Sequence, residues 1–515
     1  MADLLFTDVE LYDGTGKPPF MADVAVREDQ IAEVASSGTL KHTGCTVIDG
    51  RGKALTPGFV DVHAHSDSAA YLIPSADSKI MQGITTEISG NCGSSHYLTF
   101  YKDAPDARKG AYGDFRKLLD VVQAREPALN LAYLCGHNSL RIFVMGYEER
   151  RPSVEEMRRM KELLADALAN GAAGFSSGLW YLPGVFAETE EVKELASVLK
   201  GTGKPYATHM RNEGDTLLES LEEAIEIARA GDNNLEVSHF KTCEKQNWHK
   251  LDRAMAMIEE ARASGMNVLM DRYPYVHFGT TLRMIVPPPF VEVDTVTLCG
   301  RLKQDAAYRA ELLAALRRQS RYDMDRVIVI NSTIPEHRPY YAKSLVEIGK
   351  MMGGLSPEEA VVELLASGDS PNAAFGCMSE DNLDRILADP HVICGTDSAI
   401  RVKSDDGDHP RAFGTFPRFF RIATKRCSRA DVIRRLTSLP AAKFKLDRRG
   451  VILPGYFADL LLLDLDKYDC AADFAVANRP PTGVEAVYVN GKLAYSPDSS
   501  AKTTRAGRVL RILDS

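Results

Sequence analysis

Nowhere does the chain approach the roughly 18 consecutive apolar positions that a membrane-spanning helix requires, so no membrane partner is expected. Runs of about five or six basic residues are also missing, and a formal net charge of −9 is mild for 515 residues; a nucleic-acid partner is therefore not expected. The start, Met1-Ala2-Asp3-Leu4-Leu5-Phe6-Thr7-Asp8, lacks the basic and the apolar parts of a secretory signal, which points to a cytoplasmic protein. Cysteine is sparse, and nine is an odd number spread thinly, which fits reduced thiols better than a disulfide framework. Low-complexity tracts and fixed-period repeats are absent, so linker and solenoid classes drop out.

What is present is an ordinary globular composition, 44% hydrophobic and 26% charged, with ample length for a closed core and one or more domains. The first fifty-odd residues alternate apolar and polar positions, as in Val9-Glu10-Leu11 and Val24-Ala25-Val26, and read as short antiparallel strands. From Leu55 onward apolar runs alternate with helical stretches such as 154–170 and 188–199. Buried strands are expected before His63 and at 130–134, 174–176, 205–208, 235–238, 267–271, 327–330 and 391–395, the number that a parallel (β/α)8 TIM-like barrel requires. That barrel would occupy 56–444, with an insertion near 280–345 that carries Pro287-Pro288-Pro289 and a helix at 301–318. After a helix at 430–437 the chain returns to strands and tight turns, Asn490-Gly491 being the strongest hairpin signal. Segments 1–55 and 445–515 are expected to form one small β-sandwich domain.

The run Thr56-Pro57-Gly58-Phe59-Val60-Asp61-Val62-His63-Ala64-His65 places two histidines i, i+2 at the end of an apolar strand. Their side chains would share one face and converge on an ion at a barrel rim. Two rim histidines can also be merely solvated. Three later residues bear on that choice: His209, His239 and Asp397 each end their own expected strand, which is how a barrel assembles a site from distant parts of the chain.

Several segments resemble motifs of the amidohydrolase superfamily and, within it, the D-aminoacylases or N-acyl-D-amino-acid deacylases. They are Pro57-Gly58-Phe59-Val60-Asp61-Val62-His63-Ala64-His65, Gly90-Asn91-Cys92-Gly93, Thr208-His209-Met210-Arg211-Asn212-Glu213, Ser238-His239-Phe240-Lys241, Gly395-Thr396-Asp397 and His409-Pro410-Arg411. Many binuclear relatives bridge two metals with a carboxylated lysine on the fourth strand, but Gly174-Phe175-Ser176-Ser177-Gly178 has none. The resemblance implies that Cys92 takes its place and holds a tight Zn2+ together with His209 and His239. His63, His65 and Asp397 would form a second, weaker position. The implied reaction is zinc-dependent hydrolysis of a linear N-acyl-D-amino acid, a small-molecule substrate, with Asp397 as the base that takes a proton from water and returns it to the leaving amine.

For the substrate carboxylate, Arg411 is the family-matched guanidinium, and Lys241, Tyr275 and Thr280 are further candidates. Phe240 stands where many relatives have a histidine, which suggests a more apolar pocket. Arg283 leaves an acidic side-chain preference open. His96 and His137 read as structural, and Trp180 and Tyr181 can stack on substrate or pack in the core. Two other readings remain: a cyclic amidase acting on hydantoin or dihydropyrimidine rings, and a non-catalytic scaffold. Homo-oligomerisation is left open by the sequence.

Overall fold

A computed structural model describes residues 3–41, 44–96, 113–318, 321–368, 370–402, 407–498 and 500–513. The alternating N-terminal residues form β1 (Leu4–Leu11), β2 (Phe20–Arg27), β3 (Gln30–Ser36), β4 (Thr46–Asp49) and β5 (Ala54–Pro57). β1 pairs antiparallel with β2 and parallel with β4 and β5, while β3 extends β2.

Past Gly58 strands and helices alternate. β6 (Phe59–Asp61), β7 (Ile84–Ser89) and β8 (Asn130–Tyr133) pair in parallel, and β9 (Cys135–Gly136) prolongs β8. From β9 the parallel order continues through β10 (Phe175–Gly178), β11 (Tyr206–His209), β12 (Asn234–Val237) and β13 (Asn267–Arg272). The next three, β14 (Phe278–Thr281), β15 (Val327–Asn331) and β16 (Asn372–Phe375), form a separate antiparallel sheet. β17 (Val392–Cys394) returns to pair in parallel with β13, and a parallel bridge between Ala64 and Ser398 joins the segment after β17 to the segment after β6. β18 (Leu460–Leu463), β19 (Val484–Val489) and β20 (Lys492–Tyr495) complete the first sheet, with β18 antiparallel to β5. The β19–β20 hairpin turns on Asn490 and Gly491, both at positive φ, as a tight two-residue turn demands.

Inward positions of the parallel strands, among them Val60, Ile88, Ala132, Ala207, Leu269 and Ile393, form one small apolar cluster. The opposite face packs on helices such as Val154–Ala169, whose start is fixed by a Ser153/Glu156 capping box. The strands of the terminal sheet bury a core of their own, including Phe6, Val24, Leu460 and Tyr488. Among the described residues no helix is long and apolar enough to cross a membrane.

One expected strand needs correction, and one parallel strand was not expected. The apolar run at 327–330 is β15, a member of the antiparallel sheet. Its place among the parallel strands is taken by β7, whose Thr85-Thr86-Glu87 does not read as an apolar run yet is fully buried. The reason is Lys79, itself 0% exposed, whose ammonium reaches Glu87 at 3.1 Å, Asp61 of β6 at 2.7 Å and, in the loop after β17, Thr396 Oγ1 at 2.7 Å and Ser398 O at 2.9 Å. One buried cation thus pins three segments together. Lys79→Met leaves two buried carboxylates without their partner and should cost about 3–5 kcal/mol in denaturant unfolding. The helix expected at 301–318 is also two helices, Thr295–Gln304 and Ala306–Arg318, broken at Asp305, whose carboxylate accepts from Tyr308 N at 2.9 Å.

Candidate metal centre

The six expected ligands come from the ends of five parallel strands and converge. Cys92, just beyond β7, lies at their middle: its Sγ is 3.3 Å from His63 Nε2, 3.7 Å from His209 Nδ1 and 3.6 Å from His239 Nε2. A tetrahedron with zinc–sulfur near 2.3 Å and zinc–nitrogen near 2.0–2.1 Å has donor–donor edges of about 3.4–3.6 Å, so the Cys92/His209/His239 set fits that ion. Cys92 also belongs to a second group with His63 and His65. Asp397 lies 3.0 Å from His65 Nε2 and 3.6 Å from His63 Nε2.

Backbone conformation helps aim these groups. Cys92, His239 and Asp397 take φ of 52°, 35° and 49°, the left-handed region that non-glycine residues seldom enter. Each stands two or three residues beyond the end of a strand, and the turn swings its side chain into the shared space.

The polar groups behind the ligands set their ring orientation. Asp271 of β13 receives a hydrogen bond from His63 Nδ1 at 2.9 Å and from the His239 backbone N–H at 3.0 Å, leaving His63 Nε2 directed at Cys92. Glu213 plays the matching part for the other two rings, 2.9 Å from His239 Nδ1 and 3.9 Å from His209 Nε2. Glu213→Gln should therefore weaken zinc binding roughly 10- to 100-fold in a chelator competition.

Charge in the site also suits a divalent cation. Burial by itself raises the Cys92 thiol, but the charge of His63 and hydrogen bonds from His209 and His239 outweigh it and hold the thiol well below its ordinary value. Burial works against Asp397 in the same direction, yet Arg411 first, then His65 and His63, keep its carboxyl well below the carboxylate range. His65, which burial would lower, is raised to about 9 by Asp397 and Cys92. Anionic sulfur and oxygen thus favour the protonated form of His63, His65 and His239, while burial holds His209 below its ordinary value; a bound metal displaces those protons.

Beside this cluster opens a cleft of about 680 Å³, mouth included, lined by Trp180, Tyr181, Glu213, Lys241, Tyr273 and Thr280 among others. Of the residues expected to meet a substrate carboxylate, Lys241 and Thr280 are in the lining, and Arg411 reaches Asp397 Oδ2 at 2.6 Å. Tyr275 is not: its hydroxyl donates to Pro410 O at 3.3 Å, away from the cleft. Tyr273, two residues earlier in the same Tyr-Pro-Tyr run, lines the cleft instead, with a buried hydroxyl that has no protein partner and with Arg411 5.1 Å above its ring. Phe240 is wholly buried in the main core and does not make the cleft more apolar. Arg283 faces the other way, donating to Thr295 Oγ1 and Val291 O at 2.8 Å. His137 is spent on Glu191 at 2.8 Å and His96 sits 2.8 Å from Ser68.

Comparison with known proteins bears on the same residues. A model of the amidohydrolase family matches residues 46–327 and 352–495, spanning every one of the six converging groups. The chain belongs to the amidohydrolase family. Within it, the chain is 32% identical to a D-aminoacylase of Alcaligenes xylosoxydans xylosoxydans, over 99% of its own length and 97% of the relative's. Among solved structures it resembles an N-acyl-D-glutamate deacylase from Bordetella bronchiseptica, complexed with zinc and a phosphonate that mimics the tetrahedral intermediate, at TM-score 0.81 and 29% identity, covering 99% of both chains. An L-hydantoinase of Arthrobacter aurescens shares the fold at TM-score 0.59 and 16% identity, covering 99% of this chain and all of that one. The chain thus sits in the D-aminoacylase branch of the amidohydrolases.

Proposed function

We propose that this amidohydrolase is a zinc-dependent N-acyl-D-amino-acid deacylase, releasing a carboxylate and the free D-amino acid. The observation that carries the reading is Cys92, a buried thiol whose sulfur faces three imidazoles from three strands beside a carboxylate. Cys92, His209 and His239 hold the tighter zinc, and His63, His65 and Asp397 the weaker position. When bound, the metal lowers the pKa of water toward about 7 and polarises the scissile carbonyl.

The chain's own side chains do the rest. Asp397 accepts the proton of the attacking water at a carboxylate oxygen and passes it to the amide nitrogen as that bond breaks. Arg411, resting on Asp397 in the free protein, supplies a fork for the substrate's α-carboxylate. Lys241, Tyr273 and Thr280 stand along the same wall and supply an ammonium and hydroxyls to it.

The architecture that fits is a (β/α)8 barrel at 56–444, closed across the Ala64–Ser398 bridge, with the insertion near 280–345 over its mouth and a β-sandwich domain from 1–55 and 445–515. The free thiols suit a reducing, cytoplasmic setting. Zinc-loaded protein should release amine from N-acetyl-D-amino acids, and from the L series at least about 100-fold more slowly. Faster turnover of the L series overturns the stereochemical assignment, and no release from either series overturns the deacylase reading.

A further inference from the structure

Of the two relatives named above, one is by its name a deacylase of N-acyl-D-glutamate and the other a D-aminoacylase with no side chain specified, at nearly equal identity to this chain, so overall similarity does not choose the side chain. The cleft's charges do. Among the described residues its lining holds one lysine and one arginine, and each already has a carboxylate: Lys241 is paired with Glu213, and Arg321 with Glu244. Arg411, at the metal end, is paired with Asp397.

We propose that Glu244 is a specificity-determining residue: by neutralising Arg321 it makes the cleft accept large apolar D side chains and refuse those that carry a carboxylate. The inference rests on the deacylase reading and concerns the same site. Glu244 is held firmly. Its side chain is 4% exposed, its Oε2 accepts from Gln246 Nε2 at 2.7 Å, and its backbone N–H donates to Cys377 O at 2.9 Å. A substrate's α-carboxylate has Arg411 to meet. A second carboxylate, on the side chain, finds the Arg321 guanidinium engaged and the Glu244 and Glu213 carboxylates nearby. Among the described residues no other guanidinium lines this part of the cleft: Arg283 faces the insertion, donating to Val291 O, and Arg272 points behind the cleft, donating to Tyr275 O at 2.8 Å. Trp180, Phe278, Met284 and Tyr322 leave the remaining wall apolar and aromatic, a surface that gains from burying hydrocarbon.

The test compares kcat/KM of zinc-loaded wild type on N-acetyl-D-methionine and N-acetyl-D-phenylalanine with that on N-acetyl-D-aspartate and N-acetyl-D-glutamate. The acidic pair should be slower by at least roughly 100-fold, because it would bury a carboxylate without a counter-charge. Glu244→Gln frees Arg321 and should raise the acidic-to-apolar ratio by about tenfold or more. Adding Arg321→Leu to that variant should abolish the gain. The ratio does not depend on how much of each variant folds. Equilibrium binding of the products D-glutamate and D-methionine, read by calorimetry, should shift the same way. Acidic and apolar substrates turned over within tenfold of each other by wild type, or a ratio unmoved by Glu244→Gln, would overturn this proposal while leaving the deacylase reading intact. Absence of turnover on every D substrate would overturn both.

Discussion

Asp397→Asn should lower turnover of an N-acyl-D-amino acid by about 10²- to 10⁴-fold while zinc stays bound through Cys92, His209 and His239. The substitution keeps the size of the side chain and removes its capacity to take a proton. It also removes the partner of Arg411, whose Nη1 lies 2.6 Å from Asp397 Oδ2, so substrate should bind no more weakly than to wild type. The expected signature is therefore a fall in kcat with KM unchanged or lowered, alongside retention of the tighter zinc by atomic absorption. A loss of the tighter zinc in parallel with activity would make the fall in turnover a metal effect and leave Asp397 without an assigned proton-transfer role.

Cys92→Ala should be more severe for the metal. Its sulfur is the one donor shared by both ligand groups, so its removal depletes both positions at once, whereas loss of His63 or His65 leaves the Cys92/His209/His239 group whole. Zinc affinity should fall by more than the roughly 10- to 100-fold that follows from disturbing a group behind a ligand. Wild type saturated with zinc at about 1,000 times its dissociation constant gains about 4 kcal/mol against unfolding, and the variant should lose that zinc-dependent increment. Thermal melts with and without zinc read it directly. A Cys92→Ala protein that keeps full zinc content and the same melting shift would remove the cysteine from the centre.

Much of the site was legible because the histidines and Asp397 end or follow recognisable strands, while Cys92 was marked by its motif. His209 and His239 follow short buried runs, and the six converging residues are the six that motif and strand position select. The groups behind them were not. Glu213 and Lys241 are 28 positions apart and meet only because β11 and β12 are neighbours. Tyr273 and Tyr275 share one Tyr-Pro-Tyr run, and which of them faces the cleft depends on how the chain leaves β13, a matter of tertiary path. The fold shows the same divide. Apolar patterning located most of the parallel strands, yet it could not tell β15, paired antiparallel in its own sheet, from a barrel-type strand. It passed over β7 because that strand's polarity is balanced by a lysine from a preceding helix.

The left-handed backbone at Cys92, His239 and Asp397 has a bearing on how this protein can be improved. Each such residue holds a conformation that costs of order 1–3 kcal/mol relative to a relaxed one. Glycine or asparagine would sit there more comfortably and do none of the chemistry. Selection for heat resistance of the zinc-free protein would thus favour replacing the residues the reaction needs, and thermostable variants drawn from such a library should be enriched in inert ones. Stabilising changes belong elsewhere, in the terminal sheet and its separate core, where tightening the packing leaves those three turns untouched.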